Sequence, residues 1–235
     1  MATAQLRFTA AGRREQILSV AARLFARQGF QGTTTKQIAE HAGVTEALIF
    51  RHFPTKESLY WAVIQGKIKG ASPRDRMRQR LNSAGTDAEI LAGLAAEILE
   101  RRSTDQTLSR LLLYSALENH RLSQRFFRNH IAGYYDVLAE YIRRRAREGA
   151  FRDVDPLLAA RGFLGMVIYH SWVQELFGGK RFQKFSVEQV SRTLVDIWLE
   201  GMLQPPKAAP GVRSRKSDNG NQRATQEQGG VTQNS

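Results

Sequence analysis

Lys36 and Thr35 stand in the first turn of a short helical pattern, at positions with no packing role to occupy them. A cation and a hydroxyl presented there suit the non-covalent recognition of a polyanion. Lys36 can reach a base edge or a phosphate, and Thr35 a phosphate. Glu46 heads a second short helical pattern and has two readings. It can accept from a cytosine amino group, or it can simply favour the positive end of its own helix.

Bond-breaking chemistry finds no comparable support. The chain has no Gly-rich phosphate loop, no HExxH and no GxSxG elbow, and it contains no cysteine. His120, His130 and His170 have no carboxylate at metal-ligand spacing, and His41 and His52 fall among the binding candidates. Catalytic residues, metal ligands and cofactors are therefore not expected. The net charge of +13 over 235 residues favours a polyanionic partner, although anionic membrane surfaces would attract the same charge. No stretch has the length of uninterrupted apolar residues that a membrane span needs, and no leader is visible, so a cytoplasmic location is expected.

For Lys36, Thr35 and Glu46 to act together, two helices must be held at a fixed angle. Thr34 and Gln37 form a capping box that opens the first, and Gly43 can adopt the left-handed conformation that closes it. Thr45 caps the second, which runs from Glu46 to about Phe53 before Pro54 stops it. Ile38, Ala39, Val44, Leu48 and Ile49 supply the small core between them. Two helices joined by so short a turn form a helix-turn-helix, whose second helix can enter a DNA major groove. An amphipathic helix over about 12–28 precedes them, and one over about 56–69, capped by Thr55, follows.

These residues resemble the DNA-binding domain of the TetR/AcrR-type transcriptional regulators. The matching elements are Gly29-Phe30, Thr34-Thr35, Ile38-Ala39, Ala42-Gly43-Val44, Phe50, His52-Phe53 and Lys56-Glu57-Ser58-Leu59. The resemblance implies that His52 and Lys56 hold the DNA backbone, helped by the free N–H groups at the helix start near Lys56. The exposed variable face Glu46-Ala47 with Phe50 is where the operator preference is expected to reside, and Thr34, Thr45 and Arg51, the last on the other side of that helix, are further DNA-binding candidates. Many members of the family carry Gly in place of Ala47 and Tyr in place of Phe50. Phe50 cannot donate the phosphate hydrogen bond of that tyrosine, but its ring can pack on a thymine methyl.

Beyond residue 70 the pattern stays helical. Residues 71–85 are polar and basic and read as a connector with some helix. Thr86 with Glu89 opens a helix to about Arg102, a second spans about 105–119, and a third spans about 123–148 and ends at Gly149. Asp155-Pro156 starts another to about Phe177. Ser186 with Gln189 forms a further capping box, opening the last helix to about Leu203. The last two are apolar on more than one face, which calls for two packing surfaces. Gly162, Gly165, Tyr169, Trp172, Val190, Leu194, Ile197 and Trp198 are the candidates for a two-fold interface, and the family resemblance gives this helix pair the same role. Tyr114, Phe126, Phe127, Tyr134, Phe163 and His170 could line a cavity between helices, although each aromatic is individually better explained as core.

The expected chain is all-α. An N-terminal arm (1–11) precedes a three-helix DNA-binding domain (12–65) and a helical ligand-binding and dimerisation domain (66–203). A basic tail (204–235) is too poor in large apolar residues to fold. The expected partners are a double-stranded DNA operator, a second copy of the chain, and an apolar or aromatic small-molecule effector, with no membrane. Two other readings stay open at this point: a helical small-molecule-binding protein or enzyme with an incidental basic surface, and a regulator without a ligand.

Overall fold

Hydroxyl and carboxylate caps set the helix starts. The computed structural model describes residues 10–68, 73–118 and 120–203. The arm before residue 10, the junction at 69–72 and the basic tail from 204 lie outside the described residues. Helix α1 (Ala10–Gln28) is followed by α2 (Thr35–Ala42), α3 (Glu46–His52) and α4 (Lys56–Ile68). Both halves of the capping box at Thr34 and Gln37 are made, and Gly43 closes α2 at φ 60°. Thr45 accepts from the Leu48 N–H, and Thr55 accepts from the Ser58 N–H at 3.0 Å.

Residues Pro73–Leu81 form a continuous helix, α5, within the stretch expected as a connector with some helix. Met77 and Leu81 are buried on it, so two apolar side chains suffice to dock an otherwise basic helix. Helices α6 (Asp87–Thr104), α7 (Thr107–Glu118), α8 (His120–Phe126) and α9 (Ala132–Arg147) follow. The single helix expected over 123–148 is thus two, joined by a π-helical segment at Phe127–Ile131. Helices α10 (Pro156–Glu175) and α11 (Val187–Met202) complete the described fold, and no helix among the described residues is long and apolar enough to cross a membrane. Ser186 accepts from the Gln189 N–H, but the reciprocal bond of the expected capping box is not made.

Two apolar cores result, and they do not divide the chain near residue 65. One joins α1–α4 to Leu111 of α7 and to Leu122 and Phe126 of α8. The other joins α5, α6 and α9–α11. Helix α7 therefore packs as part of the N-terminal region. Its polar side chains reach the carbonyls that the end of α1 leaves without intrahelical partners. Arg110 Nε donates to the Ala26 carbonyl at 2.7 Å and the Tyr114 hydroxyl to that of Arg27 at 3.2 Å. Conversely, the buried Tyr60 hydroxyl of α4 donates to the Leu111 carbonyl at 2.6 Å, and burial pushes its pKa well above the usual tyrosine value.

Helix α5 is strapped down by two arginines lying across glycines. Arg74 donates to the Asn129 carbonyl of the π segment at 2.5 Å, and a Cβ on Gly133 would lie 2.6 Å from its guanidinium carbon. Arg80 passes over Gly93 of α6 to pair with Glu97.

A third polar knot ties α4 to the α6–α7 junction. Lys67 Nζ sits 2.7 Å from Asp105 Oδ2, while Asp105 Oδ1 accepts from the Thr107 N–H at 2.8 Å. Burial alone would raise the Asp105 pKa, but the hydrogen bonds from Lys67 and Thr107 and the Lys67 charge hold it down at about 2. A carboxylate depressed below its ordinary value contributes stability above that value, and the contribution is lost as pH falls through about 2. Asp105→Asn is expected to be less stable than wild type at neutral pH in urea titrations, with the gap closing between about pH 5 and about pH 2. A gap independent of pH would contradict this role.

Candidate nucleic-acid interface

The turn between α1 and α2 carries the geometry of the interface. Gly29 takes φ 78°, a conformation costly for any residue with a Cβ. The buried Thr33 hydroxyl donates back to the Gly29 carbonyl at 2.8 Å, closing the turn, and Glu118 of α7 accepts from the Gln31 N–H at 3.0 Å. Gln16 of α1 donates to the Ala42 carbonyl at 2.8 Å, so the end of α2 is fixed as well. Thr33 and Gln16 escaped the sequence reading. Thr33 sits in a run of three threonines that gives no sign of which is buried, and Gln16 lacks any local signature.

On this frame Thr34, Lys36, Thr45, Glu46, Ala47, Phe50 and Arg51 are exposed, while Thr35 and His52 are half-buried. Ile49 on the opposite face of α3 is buried. The first turns of α2 and α3 are brought together, since the Thr35 hydroxyl donates to the Glu46 carboxylate. Glu46 is therefore committed in part to holding the two helices in register. Phe50 is 43% exposed, a large ring at the middle of a short helix. His52 lies beside Phe53, with ring centroids 6.2 Å apart, and Arg14 of α1 covers the other ring at 5.0 Å from its centroid.

Lys56 is placed differently from the rest. Its ammonium lies 4.4 Å from the Phe30 ring centroid, and burial lowers its pKa, opposed by the nearby Glu118 carboxylate. The side chain packs within its own domain, while the N–H groups at the start of α4 remain the other feature of that position.

The back of α4 meets the π segment. Gln65 Nε2 lies 3.4 Å from His130 Nε2, Trp61 is beside the same imidazole, and Arg125 covers the Trp61 ring at 4.5 Å. Burial and the charge of Arg74 lower the His130 pKa. A π turn commonly marks a functional position in a helix, and this one touches α4 of the first core.

The six aromatic and imidazole residues expected around one cavity are not brought together. Phe163 is fully buried in the second core and Phe126 belongs to the first. Tyr114 is bonded to α1, Tyr134 lies under Arg74, and Phe127 is 43% exposed. His170 lines a separate hollow with Phe185. Residue type indicated apolar helix faces but not which face met which neighbour. The interface candidates also divide. Gly162, Gly165, Tyr169 and Ile197 are exposed, Trp172 and Leu194 are half-buried, and Val190 and Trp198 point into their own core. The indole N–H of Trp198 donates to the Ala159 carbonyl at 3.3 Å, which explains its inward position.

Residues 17–63 match the model of the bacterial regulatory proteins of the tetR family, and residues 89–201 match that of the AefR-like transcriptional repressor C-terminal domain. The chain is 28% identical to the HTH-type transcriptional repressor KstR2 of Mycolicibacterium smegmatis, over 83% of this chain and 92% of the relative. It is 31% identical to the nucleoid occlusion factor SlmA of Vibrio cholerae, over 66% and 80%. Among solved structures, the transcriptional regulator FadR of Bacillus subtilis in complex with stearoyl-CoA superposes with a TM-score of 0.64. That match has 21% identity and covers 80% of this chain and 98% of that one.

Proposed function

Because this chain belongs to the TetR family of bacterial regulatory proteins, we infer that it is a transcriptional repressor that binds an operator through α2 and α3 and is released by a small molecule. The observation that carries this reading is the exposed set Lys36, Glu46, Ala47, Phe50 and Arg51, held on one rigid two-helix frame. Lys36, Thr34, Thr35 and His52, with the N–H groups beginning at Lys56, anchor the phosphates. Ala47 and Phe50 face the base edges. Repressor function is supported by the likeness to KstR2, and ligand response by the stearoyl-CoA seen with the FadR structure.

Operator binding by two half-sites requires two copies. The outer faces of α10 and α11 expose Leu158 at 64%, Tyr169 at 63% and Ile197 at 58%. A Cβ built on Gly162, Gly165 or Gly201 meets nothing within 4 Å, so this face is flat as well as apolar. An apolar surface of this kind marks an interaction site, and a two-fold copy of itself covers it. Leu158, Gly162, Gly165, Tyr169 and Ile197 form the centre of that interface, with Trp172 and Leu194 at its margin. In sedimentation velocity the wild type is expected to run as a dimer and Ile197→Asp as a monomer with much weaker DNA retention. A wild-type monomer at micromolar concentration would overturn the two-fold arrangement.

Release follows from linkage. A ligand that prefers a conformation with wrongly spaced recognition helices lowers operator affinity, because both half-sites must be met at once. Helix α4 is the mechanical link, bonded to α7 through Tyr60 and to the α6–α7 junction through Lys67.

A further inference from the structure

A hollow of about 410 Å³ lies between α6, α10 and the connection from α10 to α11, within the size range of small-molecule sites. Its walls are mainly apolar, with Leu99 from α6, Val187 and Val190 from α11, and Phe185 edge-on to His170 at 6.0 Å between centroids. Ser171 lines it too. This serine is 4% exposed, and its hydroxyl makes no hydrogen bond to another described residue. That hydroxyl is therefore available to a molecule occupying the hollow. At the mouth stand Lys180 and Lys184. Lys180 pairs with Glu175 at 2.5 Å, and Lys184 has no acidic partner among the described residues.

We propose that this hollow is the effector site, resting on the reading of the chain as a ligand-responsive regulator, and that it takes a small carboxylate with an apolar tail. The tail lies along Leu99, Val190 and Phe185. The carboxylate faces Lys184 and Lys180 and accepts from the Ser171 hydroxyl. His170 stands beside the Phe185 ring at the same hollow, and burial lowers its pKa, which favours the neutral imidazole.

Two other hollows fit such a ligand less well. The groove between α5 and α6 interleaves Arg76, Arg80 and Arg101 with Glu97 and Glu100 and has little apolar wall for a tail. The depression between α7 and α8 is apolar, lined by Leu112, Phe126 and Ile131, and its cation is Arg128.

The site is also wired to α4. Glu175 Oε2 accepts from both Lys180 and Gln106 Nε2, the latter at 3.0 Å. Gln106 is adjacent in sequence to Asp105, which holds Lys67 of α4. An anion that draws Lys180 away leaves Glu175 to Gln106 alone and changes the load on that junction.

The test is calorimetric titration of the full chain with butanoate, octanoate and phenylacetate, and with octan-1-ol as the uncharged counterpart of octanoate. At least one carboxylate is expected to bind at a single site, ~10-fold or more tighter than the alcohol, as befits a charge-assisted hydrogen bond. Ser103→Trp fills the hollow from an exposed position on its rim, and Lys184→Glu reverses the charge at its mouth. Each is expected to weaken carboxylate binding ~10-fold or more. Binding of none of the three acids, or binding unchanged in Lys184→Glu, overturns the proposal, and Lys184→Glu decides alone should Ser103→Trp misfold. Sequence-selective DNA retention by the ligand-free wild type is measured separately. If it is present while the acids fail, the site is wrong and the regulator stands; if it is absent, the regulator reading itself fails.

Discussion

Gly29→Ala lowers the thermal midpoint of the chain by ~5–10 °C, the shift that ~2–3 kcal/mol produces in a protein of this size. Two effects add. An alanine at φ 78° costs ~1–2 kcal/mol through its Cβ. That Cβ would also overlap the Glu118 carboxylate, displacing it from the Gln31 N–H and forfeiting a bond worth about 0.5–1.5 kcal/mol. Gly66→Ala makes the opposite control. Gly66 lies inside α4, a Cβ there meets nothing within 4 Å, and alanine is expected to stabilise by about 0.5–1 kcal/mol. Calorimetry on the pair checks both signs. Equal midpoints would remove the structural role given to the α1–α2 turn.

Lys36→Ala and His52→Ala are each expected to weaken operator binding ~10–100-fold without altering the dimer, since each removes a charge-assisted or hydrogen-bonded DNA contact, Lys36→Ala also leaving the melting temperature unchanged while His52→Ala gives up its ring contact with Phe53. Their salt dependence separates them. Removing a lysine that neutralises a phosphate lowers the slope of log K against log salt by ~1, whereas replacing a base-edge contact changes sequence preference. Gel-shift titrations across salt concentrations make the comparison. Unchanged affinity for both variants would move the interface off α2 and α3. Thr35→Ala is informative beside them because it also frees Glu46, whose carboxylate would then face the DNA unpartnered.

Much of this was legible in the sequence because helix ends are local. Thr34, Thr45, Thr55, Thr86, Asp155 and Ser186 each cap the helix expected of them. What escaped is non-local or lacks a chemical signature. Nothing in the sequence of α5 shows that Met77 and Leu81 are buried, because two apolar residues among arginines read as surface. The π turn leaves the spacing of residues 123–148 indistinguishable from one helix. The assignment of α7 to the first core depends on Tyr60, Arg110 and Tyr114 finding carbonyls distant in sequence. Lys36 and Phe50 stood out as binding candidates because an exposed cation or a large exposed ring on a short capped helix has little structural reason to be there. The aromatic pocket candidates could not be separated from core residues, because an aromatic on a bundle helix serves a core as well as a cavity.

The central claim is that this protein reads a two-fold DNA sequence with α3. Selection of bound duplexes from a random pool by the full chain tests it most directly. The account predicts enrichment of an inverted repeat whose half-sites lie about one helical turn, or a multiple of it, apart, with Phe50→Tyr altering preference within the half-site and leaving the spacing unchanged. Recovery of no enriched sequence, or of a lone asymmetric site bound by a monomer, would contradict it.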